Sequence, residues 1–202
     1  MAKALVLIHP VMPFARDRNF GGECNRTMAA LPEGAWAVIM DHDAMWTTPH
    51  WFAQIEEAIA AKPEAGAFAV VTNRIASPWQ RVQEGVIAGD NIHRHREIGE
   101  MRRTKYRTLL DITCTKGFGG VATVLSKAAW AETEGYADGL FCVDHSVFFR
   151  TKAAGRRSYL IEGLYVYHLR ATSSKSGPQE PKWTECPCRG PETMPSERIA
   201  LP

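Results

Sequence analysis

Apolar runs of strand length alternate with segments of helical period along most of the chain. That alternation is the pattern of an α/β domain built on a largely parallel sheet. The first run, Ala4 to Ile8, ends at His9-Pro10, and a polar, glycine-bearing stretch from Pro13 to Gly22 leads into a short helix over Glu23 to Ala30. Pro32 and Gly34 punctuate its end. Trp36 to Met40 is a continuous apolar run of the kind buried on both faces of a sheet, and it stops abruptly at Asp41-His42-Asp43. Thr48 and Pro49 suit the N-cap and first position of a helix running to Ala61, with Phe52, Ile55 and Ile59 on one face. Pro63 and Gly66 stop that helix, and Ala67 to Val71 reads as a third strand.

The pattern weakens from Asn73 to Thr113 and resumes at Gly117-Phe118-Gly119-Gly120, which opens a strand over Val121 to Leu125. Ser126 then caps a helix that ends at Gly135, and a further helix over Asp144 to Ala154 is closed by Gly155. Ser158 to Ile161 and Leu164 to His168 read as a last pair of short strands. Six of the twelve prolines fall between Pro178 and Pro202, with few apolar residues to anchor them. The expected organisation is therefore one domain over residues 1–170 and a proline-rich tail over 171–202, poorly ordered or wrapped on the surface.

Composition narrows the function classes. The 202 residues are 45% hydrophobic and 23% charged, the make-up of one globular domain. Twenty-four Lys and Arg against 22 Asp and Glu give a net charge of only +2, so no general polyanion-binding surface is advertised and no nucleic-acid partner is expected. Basic character is instead local, in the Arg- and His-rich segment Asn91 to Arg107. This reads either as a solvated helix face or as a segment that closes over a bound anion. No run of apolar residues is long enough to span a bilayer, and Met1 to Ile8 lacks the make-up of a signal peptide, so a cytoplasmic location is the expectation. Five scattered cysteines do not form a disulfide framework and fit a reducing compartment. Cys186 and Cys188 are too close together for a four-ligand zinc site.

The candidate chemistry starts at Asp41 and Asp43. In open α/β sheets ligands bind beyond the carboxyl ends of strands, and two carboxylates one residue apart leave a strand on the same side. Such hard oxygen ligands suit Mg²⁺ or Mn²⁺. The bland alternative is a solvated turn at a strand end. For Asp144 the alternatives are a general base and a helix N-cap; for Gly119-Gly120, an acceptor platform and a tight strand entry; for His168, a metal ligand and an ordinary half-buried histidine. Trp46 and Trp51 flank the acidic turn and can stack a ring or simply pack.

Several segments, in order, carry a resemblance over Asn19 to His168. Asp41-His42-Asp43 after its apolar run, followed by Pro49-His50-Trp51, resembles the Asp-x-Asp segment of GT-A fold, family 2 type glycosyltransferases. Arg18-Asn19-Phe20-Gly21-Gly22-Glu23-Cys24-Asn25 is similar to the donor-pocket stretch that precedes it, and Gly117 to Val121 to the Gly-Gly opening of the acceptor-side strand. Phe141-Cys142-Val143-Asp144 through Arg150 to Gly155 looks like the Glu-Asp helix with Val143 in place of the Glu, and Tyr167-His168-Leu169-Arg170 like the terminal strand ending in His.

The resemblance implies a GT-A-like, Rossmann-like, mostly parallel sheet flanked by helices, abbreviated on the N-terminal, base-reading side. It implies a Mn²⁺ or Mg²⁺ cofactor held by Asp43 and Asp41, with His168 as a further ligand. Arg18, Asn19, Gly21, Asn25 and Asp41 would hold a nucleotide-sugar donor, a UDP-sugar being favoured. Gly119 and Gly120 would face a saccharide or other hydroxyl acceptor, with Asp144 as the base of an inverting transfer. Two rival readings remain open: a Mg²⁺-dependent phosphodiesterase using Asp41, Asp43 and Asp144, and a GT-A-like binding module without catalysis.

Overall fold

A computed structural model of the chain describes residues 6–75, 77–83, 89–140, 142–169 and 193–201. In chain order the elements are β1 (Ile8–Val11), α1 (Phe20–Ala30), β2 (Trp36–Met40), β3 (Ala44–Trp46), α2 (Trp51–Ala61) and β4 (Ala67–Thr72), then a 3₁₀ turn at Pro78–Gln80. They continue as α3 (Ile92–Lys105), β5 (Thr108–Asp111), β6 (Ala122–Ser126), α4 (Lys127–Ala131), α5 (Val143–Ala153), β7 (Ser158–His168) and β8 (Arg198–Ala200). The architecture is α/β, with helices packed on both faces of one sheet. The side of Met28, Ile98 and Phe148 is supplied by α1, α3 and α5, and the side of Ile55 and Ile59 by α2.

The sheet order is β1-β2-β6-β4-β7-β5-β8, with β3 joined to the same edge of β7 as β5. The expectation of a mostly parallel sheet is corrected: among the described pairings only β1–β2 and β4–β7 are parallel. β6 lies antiparallel between β2 and β4. Its run is fully buried on both faces, so hydrophobicity says nothing about its direction. Because β1, β2, β4 and β7 share one direction, their carboxyl ends gather on one rim, together with the entry to β6.

Several boundaries also move. The first strand does not stop at His9-Pro10 but includes it, because β1 pairs on one side only and an edge strand tolerates a residue without an N–H. Residues 1–5 of the expected run lie outside the described residues. α1 starts three residues earlier than its apolar pattern, since the Asn19 side chain caps it by accepting from Gly22 N at 2.9 Å. α2 starts at Trp51 rather than at Thr48-Pro49. The Thr48 hydroxyl accepts from His50 N and donates to Glu100, and so is spent tying α2 to α3.

The two short strands expected at 158–161 and 164–168 are one strand, β7, whose register against β4 shifts between Val70 and Val71. Ser126 caps α4 as expected, but the helix ends at Ala131. Of the expected tail, residues 171–192 and 202 lie outside the described residues, and β8 pairs antiparallel with β5.

The weakly patterned stretch holds α3. Its buried positions, His95, Ile98, Gly99 and Arg102, have helical spacing but include one large apolar side chain, so its inner face is bonded rather than oily. The Arg102 guanidinium donates to the Glu162 carbonyl, and Arg94, Arg103 and Arg107 pair with Glu97, Glu100 and Glu57. The basic segment is thus a packed helix whose charges are largely matched, not a loose flap.

Candidate metal centre

The rim where the strands end carries the acidic turn. Asp41 leaves β2 with its N–H donated to the Val121 carbonyl at the entry to β6, and the Asp41 carbonyl accepts from Ala44 N to close the turn. β3 then pairs with the end of β7, Ala44 opposite His168, and Leu169 N donates to the Asp43 carbonyl. Backbone hydrogen bonds therefore set Asp43 beside His168. His168 Nε2 lies 3.3 Å from an Asp43 carboxylate oxygen, and one ligand atom from each of Asp41, Asp43 and His168 falls within 4.8 Å of the others. His42 is exposed and is not part of this trio.

The histidine is oriented from behind. Its Nδ1 sits 3.0 Å from the Arg74 carbonyl, which only accepts, so Nδ1 carries a proton and Nε2 is the nitrogen turned to the carboxylates and left to ligate a metal ion. Asn73, just past β4, clamps the same residue at both ends: its Oδ1 accepts from His168 N at 2.8 Å and its Nδ2 donates to the His168 carbonyl at 3.2 Å. Sequence reasoning missed Asn73, though a polar residue directly at a strand's carboxyl end is the signal that could have found it. Asn73→Ala is expected to leave the fold intact and weaken Mn²⁺ affinity about tenfold or more by loosening the ligand's support, read by calorimetric titration.

Asp144 lies close enough to Asp41 for its charge to help raise the Asp41 carboxyl. It sits in the first turn of α5 rather than at the cap, which is Cys142 in a left-handed conformation with φ 60°. One Asp144 oxygen accepts from Gly120 N at 2.8 Å and the other from His145 N at 2.9 Å. The N-cap alternative for Asp144 is thus replaced by a bridge between α5 and the entry to β6. A Cβ on Gly120 would come within 2.9 Å of the Asp144 Cβ, so this close approach requires glycine. Gly119 is held separately, its N–H and carbonyl both bonded to the buried Gln80 amide.

Burial, then the Asp43 and Asp144 carboxylates, push the Asp41 carboxyl up to about 7. Three acids crowded at one rim are a poor arrangement by themselves and a good one around a divalent cation. In the metal-free protein the folded state holds the Asp41 proton more tightly than the unfolded chain does. Stability is therefore highest below pH 4 as far as this group is concerned, falls as pH rises from about 4 to about 7, and is flat above. The effect amounts to a few kcal/mol at most, and Asp41→Asn is expected to flatten it in urea melts run with chelator.

The remaining expected site residues mostly build the wall behind the rim. Asn19 Oδ1 also accepts from Gly139 N, and Gly21 approaches Ala137 so closely that a Cβ would sit 1.8 Å from its carbonyl oxygen. Asn25 bonds both main-chain groups of Tyr136 and accepts from the Trp130 indole. These three residues fasten α1 to the 130–139 segment. Arg18 adopts φ 63° just before the α1 cap. Cys24, on the inner face of α1, is fully buried near Asp41. Burial and then Asp41 push its thiol up to about 12, which leaves it unreactive. Phe141 and Arg170 lie outside the described residues.

No protein-family model matches the chain, and no curated protein matches it. The arrangement of side chains is therefore the ground on which function is argued. Two carboxylates and an imidazole whose Nε2 faces them could hold a divalent metal ion. The mixed oxygen and nitrogen character suits Mn²⁺ better than the all-oxygen shells preferred by Mg²⁺ and Ca²⁺. No helix among the described residues is long and apolar enough to cross a membrane.

Proposed function

We propose that the chain is a metal-dependent glycosyltransferase of GT-A-like fold that moves a sugar from a nucleotide-sugar, a UDP-sugar being favoured, to a hydroxyl acceptor with inversion. The observation that carries the reading is the meeting of Asp41, Asp43 and His168 on the carboxyl rim of the sheet, with Asp144 near enough to act on the Asp41 charge. A bound Mn²⁺ or Mg²⁺ there would neutralise the charge that develops on a departing diphosphate. The chain's own residues supply the rest. Asp43 and His168 fix the ion's position, and Asp41 completes the donor set on the side of α1. Asp144, anchored by Gly120 N and His145 N, keeps a second lone pair on each carboxylate oxygen. That lone pair can take the proton of an acceptor hydroxyl as the hydroxyl attacks.

A thermal-shift panel of UDP, GDP, ADP and CDP, each with Mn²⁺ or with chelator, tests this. At least one diphosphate is expected to raise the melting temperature by several degrees only when Mn²⁺ is present. If none stabilises the protein in a manganese-dependent way, the transferase reading is abandoned. Salt-sensitive binding of a DNA or RNA oligonucleotide in its place would favour a phosphodiesterase.

A further inference from the structure

Outside the metal centre the most unusual surface lies where β3 runs towards α2. Trp46 ends β3 and Trp51 begins α2, and their indoles lie face to face, ring centres 4.7 Å and planes 5° apart. Together with Pro49, Arg96 and Glu100 they line an open cleft of about 530 Å³. The floor is aromatic and the rim is charged. Glu100 is fixed in place, one oxygen accepting from the Thr48 hydroxyl at 2.5 Å and the other from Arg103 Nε at 2.8 Å. Arg96 is exposed and makes no hydrogen bond or ion pair among the described residues, whereas Arg94, Arg103 and Arg107 in the same stretch all have carboxylate partners.

We propose that this cleft is a saccharide subsite in which a pyranose ring lies against the Trp46–Trp51 pair, its hydroxyls bonded to Arg96 and Glu100. A purely apolar occupant would cover the Arg96 guanidinium without giving it a partner, at a cost it could not recover. A hydroxylated ring with an apolar C–H face meets both surfaces at once: the indoles give area at low entropic cost, and the guanidinium fork and the fixed carboxylate bond to neighbouring hydroxyls. The position matches a polymeric substrate. Trp46 pairs with Val166, two rungs along from Ala44 and His168, so Trp46 and His168 project from the same face of the β3–β7 ribbon. Trp46 lies three residue steps along the chain from Asp43, a distance of about 10 Å at the rise of a strand, within reach of a short oligosaccharide. Naming the bound saccharide as the acceptor rests on the transferase reading; the cleft's affinity for it does not.

The test is calorimetric titration, in chelator and without nucleotide, of hexasaccharides of β-1,4-linked glucose, β-1,4-linked N-acetylglucosamine and α-1,4-linked galacturonic acid. At least one is expected to bind saturably. Trp51→Ala should weaken it by about tenfold or more and Arg96→Ala by about threefold to tenfold. Trp51→Phe, which keeps an aromatic face, is expected to fall in between. Arg96 is on the surface, so its substitution answers even if the tryptophan variants melt early. The proposal is overturned if none of the three binds wild type, or if binding is indifferent to both Trp51→Ala and Arg96→Ala. Saccharide binding without manganese-dependent nucleotide binding would remove the transferase reading and keep the cleft. The reverse pattern would remove the cleft alone.

Discussion

Under the proposed transferase function, Asp43→Ala is expected to lower Mn²⁺ affinity by at least about a hundredfold and to reduce sugar transfer to background, while the protein still folds. The size of the effect follows from the position of Asp43. Its carboxylate lies 3.3 Å from His168 Nε2, so it completes the pair that approaches one point from two strands. Removing it leaves one acid and one imidazole, a donor set that a hydrated divalent ion has little reason to enter. The fold should tolerate the change because the Asp43 backbone, which accepts from Leu169 N, is untouched. Calorimetric titration of Mn²⁺ and a manganese-dependent thermal shift with UDP are the two readouts. A variant that keeps its manganese response would show that the ion sits elsewhere.

Asp144→Asn separates holding the ion from moving the proton. Transfer is expected to fall by about 10²–10⁴-fold, the range typical for loss of a general base, while Mn²⁺ affinity changes by only a few fold. A structural cost accompanies it, since both Asp144 oxygens accept backbone N–H bonds and an amide places its NH₂ against one of those donors. That cost is about 1–3 kcal/mol, visible as a lower melting temperature. Single-turnover measurement with saturating donor distinguishes the cases, because a destabilised but chemically competent enzyme would still turn over at a temperature where it is folded. Retained transfer in the folded variant would remove Asp144 from the chemistry.

The legibility of this site in the sequence is uneven, for physical reasons. Asp41 and Asp43 stood out because a buried strand ending in charge is a strong local signal, and the strand is where it was expected. His168 had no such signal. It ends a strand of apolar and aromatic residues, and only its pairing with Ala44 across more than a hundred residues of sequence brings it to the acids. β3 itself is three residues long, too short for any periodicity to announce. Strand direction was equally hidden, as β6 shows. For α3 a helix was one of two readings, and its packing on the sheet was hidden because its inner face carries His95 and Arg102 where a pattern reader looks for leucine. Asn19, Gly21 and Asn25 were conspicuous, and the structure employs their side chains, or the lack of one, in joining α1 to the 130–139 segment.

The acidic turn is not a hanging loop. One end is fastened to β6 through Asp41 N and Val121, the other to β7 through the Ala44 rung and the Leu169-to-Asp43 bond. In the language of amide exchange, residues 41–46 belong with the sheet and not with the surface. Their protection should report opening of the whole sheet and change little when manganese is stripped away. An ion arriving there would meet a finished seat, so none of its binding energy would be spent on ordering the chain.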